Sequence, residues 1–365
     1  MKHIQMRTRL CETLGIHAPI IQAGMAGGIT SPSLVAAVSE AGGLGTLGAA
    51  YMSKDALRQA IREIKTRTQR PFSVNMLVYD PPERPLAASP ALIEWVNLMR
   101  SEVGLNSWDG SIPDDEEPLD GCFNVLLDEQ VPVFSVAFSL PGKYGAAAKS
   151  AGMKLIGMAT TLEEARLLEA EGVDAIVAQG GEAGGHRGTI ALKPGEDGAV
   201  IGTLPLVSLL CEALPHIPII AAGGIMNGRG LAAALLLGAD GVQLGTRFLA
   251  CTESLAHPIY KKSVWNAKET DLTLTRAFSG RPARGIANRM TRTFAERNLS
   301  PLPYPLHNQL TREIRAAAGR LSAADYMSLW AGQGAAQLNH VDETADEIIR
   351  AIVEEAGLLV SGKTI

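Results

Sequence analysis

The sequence predicts an α/β protein, a (β/α)8 TIM barrel with an insertion after strand 3 and a C-terminal helical extension. Eight short apolar runs occur before Ser254, with helical stretches between them. The runs are too continuously apolar for strands with one face in water, whereas strands covered by helices on both faces have this pattern. Eight strand–helix alternations favour a closed barrel, and a doubly wound sheet remains the alternative.

The predicted strands lie at residues 19–22, 44–47, 72–77, 131–138, 155–158, 175–179, 217–222 and 241–244. The helix at 31–41 has Ser31 as its N-cap and Pro32 in its first turn, and the helix at 54–66 carries an apolar stripe. In the helix at 161–171, Thr161 and Glu164 have the spacing of a capping box. An Ala- and Leu-rich helix is predicted at 228–237.

Two segments interrupt the repeat. Residues 80–130 begin with several prolines and predict an insertion that is helical at about 91–103. The chain after Ser254 predicts helices at 310–318, 323–330 and 343–356, with no further strand. We therefore expect a barrel domain at 1–255 and a helical extension at 256–365 that packs on it.

The composition excludes several classes of protein. Of the 365 residues, 46% are hydrophobic and 19% are charged, and the net charge of −5 comes with no basic block. A large core is therefore expected, while nucleic acid and membrane are not expected as partners. The four cysteines form no metal-ligand spacing and no disulfide framework, so we expect no metal and a cytoplasmic location. A monomer or a homodimer is expected.

Glycines gather where the last two barrel strands end. In TIM barrels these two loops commonly bind phosphate, because glycine lets backbone N–H groups approach the phosphate oxygens. Tight turns alone would also explain the glycines, but their joint placement favours a phosphate site. The residues concerned are Gly223, Gly224, Gln243, Leu244, Gly245 and Thr246, the last as a hydroxyl donor.

Three further side chains lie near the ends of the first, third and sixth strands. Met25 follows the first strand in a glycine-rich loop that suits a flat ring, although a flexible turn fits equally well. Asn75 and Gln179 put amides into apolar strands, where they need hydrogen-bond partners. The partners are either neighbouring backbone or a polar-edged ligand, and the position near the catalytic rim favours the ligand.

His186 is the candidate catalytic residue. It lies in a loop after the sixth strand that holds glycines at 180, 181, 184, 185 and 188. An imidazole with an ordinary pKa of about 6.5 is a natural proton acceptor near neutral pH. No serine or cysteine nucleophile motif and no second histidine at metal spacing accompany it. Glu182 and Arg187, which flank the motif, are expected to be structural.

Taken together, these blocks resemble the nitronate monooxygenases, formerly called 2-nitropropane dioxygenases, and their class I branch in particular. The His186 loop carries the signature, and other blocks agree in order over nearly the whole chain. The blocks are residues 18–28, 36–45, 179–188, 220–225, 241–248, 276–285 and 329–334.

The resemblance implies a barrel that binds FMN and oxidises an alkyl nitronate with O2 to a carbonyl compound and nitrite, detoxifying nitronates such as propionate 3-nitronate. It implies that His186 removes the α-proton of a nitroalkane or hydrogen-bonds the oxygens of a nitronate. Tyr304 is expected on the substrate side, whereas Trp330 and Gln333 either close over the flavin or pack the last helix. The implied flavin contacts are Met25, Asn75, Gln179, Gly184, Gly185, Gly223, Gly224, Gln243, Leu244, Gly245 and Thr246.

Two alternatives remain. The same His-bearing loop occurs in FMN-dependent NAD(P)H reductases of the enoyl-ACP reductase and quinone reductase types. The long C-terminal segment with Trp-Ala-Gly-Gln-Gly at 330–334 favours the monooxygenase. A flavin-binding protein without enzymatic activity is the third and least favoured hypothesis.

Overall fold

Eight parallel strands with helices between them form a barrel in the computed structural model, which describes residues 6–83, 86–112, 119–190, 192, 195–338, 340 and 342–362. The barrel strands follow one another in the order β1-β9-β8-β6-β5-β4-β3-β2. The barrel closes between its first two strands, where Ile21 forms a parallel bridge with Leu44. The strands are β1 (Ile20–Gln22), β2 (Gly45–Gly48), β3 (Phe72–Leu77), β4 (Val133–Ala137), β5 (Lys154–Ala159), β6 (Ala175–Gln179), β7 (Gly185–His186), β8 (Ile219–Ala222), β9 (Gly241–Leu244), β10 (Leu272–Thr275) and β11 (Ala283–Ile286).

The predicted barrel is therefore confirmed, and each of its strands lies where the sequence places it. The helices are α1 (Arg9–Leu14), α2 (Pro32–Glu40), α3 (Lys54–Arg67), α4 (Pro90–Glu102), α5 (Leu119–Asp128), α6 (Gly142–Ser150), α7 (Leu162–Ala170), α8 (Thr203–Ala213), α9 (Gly228–Leu236), α10 (Thr246–Leu249), α11 (Pro258–Trp265), α12 (Arg289–Glu296), α13 (Leu306–Leu321) and α14 (Ala345–Val360), with 3-10 turns at Ala324–Tyr326 and Ala335–Gln337.

The predicted helix caps are formed in part. Ser31 accepts a hydrogen bond from the backbone N–H of Leu34 at 2.9 Å. Thr161 caps α7 by accepting from the N–H of Glu164 at 3.1 Å. The Glu164 carboxylate does not complete the capping box but accepts from the N–H of Thr160 at 2.6 Å. It also accepts from the N–H of Ile190 at 2.8 Å, so this carboxylate ties the end of β5 to the chain beyond the His186 loop.

The extension is not helical throughout. β10 and β11 pair antiparallel, and β11 pairs with β7. The prediction of a helix at 323–330 is wrong beyond its first turn, because the chain there runs extended beside β11: Ile286 N–H donates to the Leu329 carbonyl at 2.9 Å. The alternation Leu-Thr-Leu-Thr in β10 was the available signal for a strand.

The insertion and the extension share one hydrophobic core. Trp95 of α4 packs edge-on against Phe294 of α12, with ring centroids 5.1 Å apart. The indole N–H of Trp95 donates to Thr293 Oγ1 at 2.9 Å. The last helix, α14, lies against α9 and α2, where a barrel has its eighth outer helix. The division at residue 255 stays a prediction.

His307 is a fully buried histidine in the core that the insertion and the extension share. It lies on α13, its Nε2 is 3.0 Å from the carbonyl of Ala277, and its ring packs on Phe294. Burial lowers the pKa of His307 to about 4. The ring is therefore neutral at physiological pH and donates through Nε2.

We expect acid to destabilise the fold through His307. The pKa of histidine in an unfolded chain is about 6.5, so protons bind the unfolded chain first as the pH falls. The stability that is present above about pH 6.5 is thus lost between there and pH 4, by about 3 kcal/mol for this residue. His307→Gln, which keeps an amide donor for Ala277, should reduce the fall in melting temperature between about pH 7 and pH 4.5.

The control is His216→Gln at an exposed position. It should leave the dependence of melting temperature on pH as in the unsubstituted protein. The same slope for His307→Gln as for the other two proteins would contradict a buried neutral His307.

Candidate active site

A cavity of about 540 Å³ lies at the carboxyl ends of the barrel strands. Its volume falls within the range of roughly 300–1,000 Å³ that small-molecule sites have. The cavity is lined by residues of β3, by loops after β1, β2, β4, β6, β8 and β9, and by α13 and the segment 327–334. The predicted site residues that line it are Met25, Asn75, Gln179, Gly184, Gly185, His186, Gly223, Gly224, Gln243, Gly245 and Thr246.

Two predicted site residues lie elsewhere. Leu244 follows Gln243 in β9, so its side chain points to the other face of the strand and packs in the hydrophobic core. Only its backbone remains near the cavity, and its carbonyl accepts from the N–H of Ala23 at 2.9 Å. Tyr304 lines a second, smaller cavity, but its ring centroid is 6.3 Å from that of His186.

The His186 loop is held by side chains of the loop itself and of β6. The Gln179 amide donates to the His186 carbonyl at 3.0 Å and accepts from the N–H of Gly188 at 2.8 Å. His186 also pairs with Ala283 across β7 and β11. Gly184 sits so close to the segment that follows Trp330 that a Cβ there would lie 2.5 Å from the backbone of Ala331. These contacts anchor the loop to β6, to β11 and to the segment that follows Trp330.

Arg187 and Glu182 stabilise this loop, as the sequence suggested. The Arg187 side chain is fully buried and donates to the carbonyls of Gly180 at 2.7 Å and Gln179 at 2.9 Å. It also donates to Ala199 at 3.1 Å. The Glu182 carboxylate accepts from the N–H and the hydroxyl of Thr203, both at 2.8 Å.

The imidazole of His186 is half-buried and carries no charge at neutral pH. Its Nε2 lies 2.8 Å from Ser279 Oγ, which leaves Nδ1 as the ring nitrogen available to a molecule in the cavity. Burial, and then the positive charges of Arg281 and Arg315, lower the pKa of His186 to about 3. The ordinary pKa assumed from the sequence does not hold here, because the ring is desolvated among cations.

Aromatic rings surround the imidazole. Phe138 and Trp330 have their ring centroids 5.6 Å and 5.4 Å from it. The guanidinium carbon of Arg281 lies 3.9 Å from the centre of the Phe138 ring, a cation–π contact. Phe138 has a φ of 80°, which costs a residue other than glycine about 1–3 kcal/mol. This strained residue directly follows β4 and shapes the pocket beside His186.

Several polar groups face the cavity and are available to a ligand. The side-chain amide of Gln243 has no hydrogen bond within the part of the chain that the structure describes. Thr246 Oγ1 accepts from the N–H of Gly332 at 3.0 Å, so its hydroxyl proton can still be donated. Gly224 has a φ of 70°, which turns the chain after β8 in a conformation that glycine favours. The N–H groups at the start of α9 are already used, since Gly228 donates to Glu355 at 2.7 Å.

Sequence reasoning missed four residues of this site. Ser279 and Arg281 belong to the block 276–285, but the residue pattern of that block does not indicate a role for either side chain. Phe138 was predictable as the residue that ends the fourth strand. Arg315 lies on α13 and lines the cavity, but nothing in the sequence around it indicates a site residue. Trp330, left open between two roles, lines the cavity, whereas Gln333 accepts from Arg284 at 2.9 Å.

The described residues contain neither a group of metal ligands nor a helix that could cross a membrane. In that part of the chain, no group of three or more His, Cys, Asp and Glu side chains is arranged to hold a metal ion. None of the described helices is long and apolar enough to cross a membrane.

A barrel that carries its cavity and a neutral imidazole at the carboxyl ends of its strands defines an α/β-barrel enzyme of small-molecule chemistry. The family model described as nitronate monooxygenase matches residues 7–355. The chain belongs to this family, whose members are oxidoreductases.

Individual relatives agree with the family. A probable nitronate monooxygenase of Bacillus subtilis (strain 168) is 41% identical over 320 residues, which are 87% of this chain and 90% of that protein. The crystal structure of a nitroalkane oxidase from Streptomyces ansochromogenes has a TM-score of 0.86 and 38% identity, over 96% of this chain and 99% of that one. The structure of FabK from Thermotoga maritima has a TM-score of 0.77 and 33% identity, over 98% of both chains.

Proposed function

We propose that this protein binds FMN and oxidises alkyl nitronates with O2 to carbonyl compounds and nitrite. Membership of the nitronate monooxygenase family supports this reaction. The structural observation that carries the proposal is the pair of arginines near His186. Arg281 stacks on the Phe138 ring that packs against the imidazole, and Arg315 lines the cavity. Positive side chains favour an anion beside them, whereas burial by itself disfavours charge of either sign. Nitronate and O2 are thus the expected partners, and a cytoplasmic monomer or homodimer stays a prediction.

The polar groups that line the cavity support FMN as the cofactor. Gln243 and Asn75 offer amide groups to the polar edge of a ring, and Asn75 is held in place by donating to Ser135 Oγ at 2.9 Å. The loops at Gly224 and Thr246 supply backbone N–H groups and a hydroxyl that suit a phosphate. When bound, FMN would take electrons from the nitronate and deliver them to O2.

His186 would orient the nitronate. A nitronate oxygen accepts a hydrogen bond from the imidazole if Nδ1 carries the proton; the Ser279 hydroxyl would then donate to Nε2 in place of the Arg281 carbonyl, which lies 3.1 Å from it. A neutral donor beside an oxyanion stabilises charge without changing its own protonation state. The low pKa of His186 makes it a weak base, so the structure favours this role over removal of an α-proton from a nitroalkane.

The test compares ethyl nitronate with nitroethane on the FMN-loaded enzyme. Since a well-matched general base contributes roughly 100- to 10,000-fold, we expect kcat/KM for the nitronate to exceed that for the neutral compound by at least about 100-fold. Nitrite release and O2 uptake measure both. Equal rates on the two substrates would contradict an anion-selective site.

The second candidate function is that of an NAD(P)H-dependent reductase, and the structural similarity to FabK is the observation that favours it. The two functions separate under anaerobic conditions. Rapid bleaching of the flavin absorbance by NADH or NADPH would favour the reductase. We expect instead that neither nucleotide changes the spectrum on the time scale of turnover with ethyl nitronate.

A further inference from the structure

A second cavity of about 250 Å³ lies beside the main one. It is formed by the loop after β2, the end of β3, the start of α5 and the chain around Tyr304. Tyr51, Leu77 and Arg312 line both cavities, so the two spaces adjoin at these side chains. No residue of this second cavity other than Tyr304 was singled out from the sequence.

The boundary between the cavities is close to His186. The Tyr304 hydroxyl donates to the Tyr51 hydroxyl at 3.4 Å. The ring of Tyr304 is also perpendicular to Phe138, with centroids 5.3 Å apart. Tyr304, which lines the second cavity, has its ring centroid only 6.3 Å from that of His186, so the tail of a substrate held at His186 lies a short distance from the second cavity.

Tyr51 is held at this boundary in a strained conformation. Its φ is 72°, a region that bulky residues other than glycine rarely adopt. Such a conformation persists where the surroundings determine it, and it is concentrated at binding sites. Tyr51 thus combines an unfavourable backbone conformation with a side chain that lines both cavities.

The lining of the second cavity is mostly apolar. Ala50, Met52, Met76 and Leu119 contribute aliphatic surface, and Tyr79 contributes an aromatic ring. An apolar space of roughly 150 Å³ is enough to bind benzene, so this cavity has room for a phenyl ring or a short alkyl chain. Arg312 lines both cavities, so its positive charge lies where the apolar cavity meets the main one.

We propose that the second cavity binds the apolar tail of the substrate, a linear alkyl chain of four to six carbons or a phenyl-bearing chain, while its nitronate end lies at His186. This inference rests on the proposed function. It assigns to Tyr51 and Tyr304 the role of lining the passage between head and tail. It also predicts a preference for long primary nitronates over ethyl nitronate.

Binding of unreactive carboxylates tests the tail site apart from turnover. A carboxylate, like a nitronate, is a planar anion with two oxygens. Acetate, hexanoate and 4-phenylbutyrate are titrated into the FMN-loaded enzyme by calorimetry. Because each buried methylene strengthens binding, we expect the two longer probes to bind at least about tenfold more tightly than acetate.

A substitution that fills the cavity decides where the tail lies. Ala50 lines the second cavity and not the main one. Ala50→Phe should reduce the advantage of hexanoate over acetate to less than about threefold, since the tail loses its space. Met52→Trp is the second filling variant, in case the first does not fold. The matched control is Ala146→Phe on the exposed face of α6, which should keep the tenfold advantage.

Each outcome bears on one proposal. An advantage of hexanoate that persists in both filling variants would mean that the tail lies in the main cavity, and it would overturn the tail site. The absence of any advantage in the unsubstituted enzyme would overturn it as well. If the carboxylates behave as expected but ethyl nitronate and hexyl nitronate release no nitrite, the proposed reaction fails while the tail site stands.

Discussion

His186→Asn is expected to lower kcat/KM for ethyl nitronate by about 100- to 1,000-fold, the effect of removing a hydrogen-bond donor from a developing or resident oxyanion. Asparagine is shorter than histidine and does not reach the same point in the cavity. Cofactor binding should persist, because the loop is held by Gln179 and Arg187 and not by the imidazole. Steady-state O2 uptake and the flavin content of the purified variant measure the two effects.

The dependence on pH sharpens this prediction. Burial and the two nearby arginines lower the pKa of His186 to about 3. The ring is therefore protonated only in acid near that value, and kcat/KM for preformed nitronate should show no inflection from His186 between about pH 5 and pH 8. An inflection near pH 6.5 that disappears in His186→Asn would mean that the ring titrates as an exposed base.

A loss of less than about tenfold in His186→Asn would contradict the assigned role. The control is His216→Asn at an exposed position, which should keep the activity of the unsubstituted enzyme. The comparison separates the loss of one imidazole from the effects of any histidine substitution.

The barrel was predictable because its pattern is local. Most of the parallel strands are largely apolar runs, such as Ala175–Gln179, and several helices begin at a recognisable cap, such as Ser31. The glycine-rich loop with His186 follows one of these strands, so the position of the histidine at the rim followed directly. Neither inference needs knowledge of which distant residues meet.

The parts that escaped prediction depend on long-range pairing. β11 hydrogen-bonds with β7 although the two strands are far apart in sequence, and this pairing brings Ser279 and Arg281 to His186. The contact between Trp95 and Phe294 joins the insertion to the extension in the same way. The pKa of His186 escaped for the same reason, since burial and distant arginines set it.

Arg187→Met is expected to lower the free energy of unfolding by about 2–4 kcal/mol, because it removes the guanidinium donor from three carbonyl groups, of which the Gly180 carbonyl keeps the N–H of Ala183 at 3.1 Å. The three acceptors are the carbonyls of Gly180, Gln179 and Ala199. Methionine fills similar space and removes a buried charge, which offsets part of the loss. The unsatisfied acceptors outweigh this gain, since each costs about 1–3 kcal/mol.

The measurement is the denaturant unfolding of the variant beside Arg166→Met, which makes the same change at an exposed position of α7 and should stay within about 0.5 kcal/mol of the unsubstituted protein. Arg187→Lys keeps the charge but lacks the planar fork, so it should satisfy fewer carbonyls and fall between the two. The residual folded Arg187→Met enzyme should also lose nitrite release, because the carbonyls of Gln179 and Gly180 lie where the loop that carries His186 begins. A stable Arg187→Met with full activity would mean that water or a rearranged backbone replaces the guanidinium, and that β7 and Gln179 alone position the imidazole.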